Sequence, residues 1–92
     1  MQLRWTASAA NDLEVIAEYL FEKSPQNAAQ LIRKIYEAPS SLTSYPNLGC
    51  LGKKDGTREL VLAPLPYIVI YQVAGDTVFV LRILHGAQDW PG

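Results

Sequence analysis

The side chains best suited to chemistry crowd into the last third of the chain. Arg58, Glu59, Tyr67, Tyr71, Arg82, His85 and Gln88 all fall between Gly56 and Gly92. His85 is the sole histidine, and histidine is the side chain that exchanges a proton near neutral pH. Beside arginines and tyrosines it could act as general acid or base in phosphodiester cleavage. A lone histidine at a strand end is more often structural. Arg58 and Arg82 could each grip a phosphate or a carboxylate. Either could instead close an ion pair within the chain, for instance with Glu59 or Asp89. Arg82, flanked by Val80 and Leu84, is costly to bury unpaired and must find an acceptor or a partner.

Stronger enzyme signatures are missing from the sequence. There is no phosphate loop, no HExxH, no CxxC pair and no nucleophile elbow. The single cysteine, Cys50, permits no internal disulfide and has no neighbouring His or Cys to share a metal. It reads as an incidental loop thiol in a reducing compartment. No metal and no cofactor are expected.

The elements that must position these groups are legible from periodicity. Gln2–Trp5 reads as a short extended segment and Thr6 as the N-cap of a helix. In that helix Ala10, Leu13, Ile16, Ala17 and Leu20 make one apolar face, and Glu14, Glu18 and Glu22 an acidic, solvated row. Ser24-Pro25 opens a second helix, with serine at the cap and proline at the first helical position. Ala28, Leu31, Ile32 and Ile35 form its apolar stripe, Leu42 continues the phase, and Pro39 predicts a break near Ala38. The two helices should form a hairpin. Residues 45–56 read as a loop. Thr57–Leu62, Tyr67–Val73 and Thr77–Leu84 read as strands, the last two joined by Ala74-Gly75-Asp76.

The last two strands are apolar on both faces. Tyr67, Val69, Tyr71 and Val73 should oppose Ile68 and Ile70, and Val78, Val80 and Leu84 should oppose Phe79, Leu81 and Ile83. Tyr67 and Tyr71 share a face with valines and read first as core. A helical hairpin covers one face of a sheet, so the other is expected to meet a protein partner unless curvature and the tail close it. Trp90-Pro91 should pack the tail on the body or anchor a partner.

Size and charge bound the rest. The 92 residues, 49% of them apolar, suit one domain over 1–92 with a thin core. No apolar run approaches the roughly 20 residues that span a bilayer, and the N-terminus lacks the pattern of a signal peptide, so a cytoplasmic protein without membrane contact is expected. Net charge is −1 but segregated: −3 over residues 1–22, +4 over 23–58 and −2 over 59–92. That is not the broad basic field of a nucleic-acid binder.

Taken in order, QLRWT at the start, the spaced Ala10, Asp12-Leu13, Ile16 and Tyr19, Pro46 before a glycine-containing loop, then GTREL, PYIVIYQV and VLRILHGAQDWP resemble the RelE/ParE superfamily. These are small toxins of bacterial type II toxin–antitoxin pairs. The resemblance covers essentially the whole chain. It implies an α+β fold of order β-α-α-β-β-β, a helical hairpin packed on one face of a curled antiparallel sheet. It also implies a cognate antitoxin wrapped around the toxin, for which Tyr67, Val69, Tyr71, Val80 and Leu84 are candidate contacts.

The superfamily divides by target. RelE-like members cleave mRNA on the ribosome with a cluster of basic residues. Here Ile68 and Leu60 stand where that branch places basic groups, and Gln88 lies near the place of its C-terminal one. Only Arg58, and loosely His85, keep suitable chemistry, so a ribosome-dependent endoribonuclease with His85 as acid/base and Arg58 on the phosphate is the alternative reading. ParE-like members are more similar, with a GxRE strand start, a PY(I/V)xxY strand and an HxxxxW/FP-like end. They inhibit DNA gyrase by binding, which makes Arg58, Arg82, His85, Gln88 and Trp90 candidate determinants of toxicity. DNA would be met only indirectly, through the antitoxin complex. A third reading is a binding module on the same fold that is no longer toxic.

Overall fold

The computed structural model describes residues 1–86; the expectations on Gln88, Asp89 and Trp90 lie outside them. Element order is β1 (Gln2–Trp5), α1 (Ala7–Lys23), α2 (Pro25–Glu37), a 3₁₀ turn (Ala38–Thr43), β2 (Cys50–Leu51), β3 (Arg58–Val61), β4 (Tyr67–Ala74) and β5 (Thr77–His85).

The helices start and stop where side-chain chemistry requires. Thr6 has extended backbone, and its Oγ1 accepts from the Ala9 amide at 3.1 Å, satisfying one of the orphan donors of the first turn. Ser24 alone separates α1 from α2, and Pro25 fills the first position of α2. The Ser24 hydroxyl does not cap the backbone as expected; it accepts from Asn27 Nδ2 at 3.3 Å. At Ala38 the chain tightens into the 3₁₀ turn, with Pro39 buried inside it, because proline cannot donate the next helical bond.

The sheet has five strands in the order β1-β5-β4-β3-β2. The β2–β3, β3–β4 and β4–β5 pairs are antiparallel, as expected. The β1–β5 pair is parallel, which makes the sheet mixed rather than wholly antiparallel. The two-residue β2 also lies within what read as loop. Gly75, at φ +59, opens the two-residue turn between β4 and β5, a left-handed position that glycine takes without a Cβ clash.

One irregularity reorders the faces of β5. Ile70 pairs with Arg82 while the next residue, Tyr71, pairs with Val80, so Leu81 is an extra residue, a β-bulge. The bulge reverses the alternation expected for this strand. Ile83 joins Val78 and Val80 in the core under the helices, and Leu84 moves to the opposite face beside Ile68. The core is built from Ala9, Leu20, Ala28, Ile35 and Leu42 above Tyr67, Val69, Tyr71, Val78, Val80 and Ile83. The far face is not left open at its centre. Ile70 and Leu84 are 1% and 4% exposed, and Ile68 and Phe79 are half-buried.

No helix among the described residues is long and apolar enough to cross a membrane.

Candidate functional site

Arg82 is committed to the fold. Its Nε donates to Asp12 Oδ2 at 2.6 Å and its Nη2 to Asp12 Oδ1 at 3.0 Å, a bidentate pair between β5 and α1. Among the described residues Asp12, not Glu59, is its ion-pair partner. The hydrogen bond to Asp12 holds the guanidinium above its usual range, against the pull of partial burial, and charge attraction adds to it. Asp12 also accepts from the Ile83 amide at 2.9 Å. β1 stops pairing at Trp5, opposite Val80. Beyond that point Thr6 Oγ1 donates to Leu81 O at 2.9 Å and Asp12 accepts from Ile83. Two side chains thus stand in for a strand along this stretch of β5 and leave those groups satisfied.

Arg58 is held by a loop. Its Nη1 donates to Gly49 O at 2.8 Å. Tyr71, directly across β4 from Arg58, donates from its hydroxyl to Pro46 O at 2.8 Å and accepts from the Gly49 amide at 2.9 Å. Gly49 sits so close that a Cβ there would lie 2.7 Å from Glu59 O and 2.8 Å from Tyr71 Cε1. The loop is tied down through its own backbone, which leaves Leu48 and Leu51 exposed beside it.

His85 ends β5 opposite Tyr67, and the rings meet edge to face with centroids 5.9 Å apart. Burial lifts the Tyr67 phenol above its ordinary 10.0, and nearby Tyr19 adds to the rise. Val15, Ile16, Tyr19, Tyr67 and His85 line a shallow, largely apolar groove between α1 and the end of the sheet.

The structure does not bring Arg58 and His85 together. They align with Tyr71 and Tyr67 of β4, two strands apart and offset by four residues, or about 13 Å along the strands and about 10 Å across them. The residues expected to meet an antitoxin are also placed differently. Tyr67, Val69, Tyr71 and Val80 are 6%, 0%, 0% and 0% exposed beneath the helices, and Leu84 is buried on the far face. They serve as core. The large exposed apolar side chains are instead Met1, Val15, Tyr19, Phe21 and Tyr36 on the N-terminus and helices, and Tyr45, Leu48, Leu51, Val61 and Val73 around the loop, β3 and the end of β4. Among the described residues no three His, Cys, Asp or Glu side chains cluster closely enough to hold a metal.

The sequence reading missed Asp12 and Gly49. Asp12 had a signal: a carboxylate beside the apolar stripe of Leu13 and Ile16 needs a cation, and Arg82 in an apolar strand needs an anion. Gly49 had none beyond its residue type.

This architecture, a helical pair on a small mixed sheet, is that of bacterial toxins of the RelE/ParE type. It superimposes on a chain of the chromosomal ParDE toxin–antitoxin system of P. aeruginosa with a TM-score of 0.85, 28% identity and coverage of 92% of this chain and 95% of that one. A chain of the RelBE2 complex from Mycobacterium tuberculosis shares the fold at a TM-score of 0.61 and 22% identity, over 95% and 92% of the two chains. In sequence the chain is 39% identical to the protein Y4kP of Sinorhizobium fredii over 98% of its length and 93% of that protein's. It is 38% identical to toxin RelE2 of Caulobacter vibrioides, covering 95% of this chain and 97% of that toxin. Residues 3–90 match the family model for the ParE toxin of the type II toxin–antitoxin system parDE, and the chain belongs to that family.

Proposed function

We propose that this toxin is ParE-like in action: it binds DNA gyrase in the cytoplasm, blocks replication, and is neutralised by a cognate antitoxin protein. The observation that carries this reading is the separation of Arg58 from His85. Cutting a phosphodiester requires the phosphate clamp and the proton-transfer group within hydrogen-bond reach of one substrate. Here their backbone positions lie about 16 Å apart by strand geometry, the two side chains line different pockets, and Arg82 is committed to Asp12. Ile68 and Leu60 add no cation near them. A net charge of −1 gives little general attraction for an RNA backbone. What remains suits contact rather than turnover: a rigid frame with apolar side chains exposed on helices and loop. The likeness to a ParDE chain supports an antitoxin partner, and in this reading DNA is met only through the antitoxin complex.

Induced expression tests the proposal. Gyrase poisoning produces the DNA-damage response and filamentation before translation falls. An immediate stop in translation, with mRNA cut at ribosomal A-site codons, would overturn it in favour of an endoribonuclease. Normal growth of a host whose gyrase binds the chain would identify a non-toxic binding module.

A further inference from the structure

Arg58 is left with binding capacity that the fold does not use. The bond to Gly49 O takes one of the guanidinium's five donors. Among the described residues the ion pairs are Met1–Asp76 and Arg82–Asp12, so Arg58 has no carboxylate. It is half-buried, where an uncompensated charge is less well hydrated than at the surface. It lines a pocket of about 160 Å³ with Asn47, Leu51, Gly56, Thr57 and Val73. None of these is acidic. The volume is below the roughly 300 Å³ at which small-molecule sites begin, and suits a single side chain.

The surroundings indicate how that side chain arrives. β2 is the last strand of the sheet, and both its residues are exposed, Leu51 at 80%. An extended peptide can add to such an edge by main-chain hydrogen bonds while alternate side chains enter neighbouring pockets. Lys53 and Lys54 follow β2 after Gly52 and are exposed. Leu51 and Val73 can pack against methylenes, and the guanidinium fork matches a carboxylate. Nucleic acid fits less well. The pocket has no aromatic ring for a base to stack on, and the basic segment is flanked by stretches of net −3 and −2.

We propose that the Arg58 pocket receives a glutamate or aspartate from an extended acidic protein segment running along the free edge of β2. The site does not depend on which target the toxin acts on.

The test is an NMR titration of the full chain with a short blocked peptide of alternating leucine and glutamate. A glutamine-for-glutamate version, inorganic phosphate and a short oligothymidylate serve as comparison probes. The acidic peptide is expected to shift Leu51, Gly56, Thr57, Arg58 and Val73 saturably, with the glutamine peptide about tenfold weaker or more. Val73→Glu, at an exposed position, places a carboxylate in the pocket while keeping Arg58 itself, and is expected to abolish peptide binding with the fold intact by circular dichroism. Arg58→Lys should weaken binding by losing the fork. The proposal is overturned by equal binding of both peptides, by tighter binding of phosphate or oligonucleotide at these residues, by indifference to Val73→Glu, or by no shifts at these positions.

Discussion

Asp12 and Arg82 are coupled through one oxygen that does two jobs. Asp12 Oδ2 accepts from Arg82 Nε at 2.6 Å and from the Ile83 amide at 2.9 Å. The carboxylate therefore pairs a cation and replaces a strand partner at once. The two members are not equivalent. Asp12→Ala strips both the guanidinium and a backbone donor of their acceptor, whereas Arg82→Ala leaves Asp12 bonded to Ile83. Asp12→Ala is expected to cost about 2–4 kcal/mol and Arg82→Ala about half as much. Urea unfolding of both variants checks the order; an equal or reversed order contradicts the account.

The loop tether makes a second prediction. Tyr71→Phe removes the acceptor of the buried Gly49 amide and the donor to Pro46 O. A loss of about 1–3 kcal/mol is expected, with faster hydrogen exchange at Gly49 than in the wild type. Gly49→Ala should be at least as damaging, because its methyl would press on the Glu59 carbonyl and the Tyr71 ring. Stability unchanged by Gly49→Ala would show that the approach is not as tight as described.

Tyr67 sets an alkaline limit. Its folded-state pKa is raised above 10.0, chiefly by burial. The neutral phenol is the form the fold favours. Its contribution is whole below the unfolded value and is lost as pH rises through the folded one. Stability should therefore begin to fall above about pH 10, and Tyr67→Phe should flatten that decline. Absorbance of the phenolates against pH, in the wild type and the variant, reads the shift directly. A Tyr67 that ionises at or below 10 would contradict it.

For His85 the expectation is a small effect. His85→Ala loses the edge-to-face contact with Tyr67, and a toxin that works by contact should keep most of its toxicity. The check is growth arrest on induction, with fold and antitoxin affinity measured in parallel. Near-complete loss of toxicity with both of those intact would point to cleavage.

Much of the fold could be read from the chain because local chemistry sets it. Thr6 caps α1, Pro39 ends α2, and the alternation of Tyr67, Val69 and Tyr71 puts them on one face of β4. The misses are non-local or silent in residue type. The extra Leu81 turns Ile83 inward and Leu84 outward, and a bulge has no sequence mark here. The parallel partner of β1 lies some 75 residues away. Arg58 and Tyr71 reach main-chain atoms of Pro46 and Gly49, and a carbonyl acceptor looks the same under every side chain. The antitoxin candidates lie buried, against expectation, for a related reason. Apolar residues on both faces of a strand do not say which face the helices will cover.

The tether of the loop after the 3₁₀ turn has an evolutionary corollary. Arg58 and Tyr71 clasp it entirely by backbone atoms of Pro46 and Gly49. Gly49 is constrained by space. Asn47, Leu48 and Leu51 take no part in the clasp, and all three are exposed. The frame is thus a socket with interchangeable tips, in which a lineage can exchange the displayed side chains without rebuilding the mount.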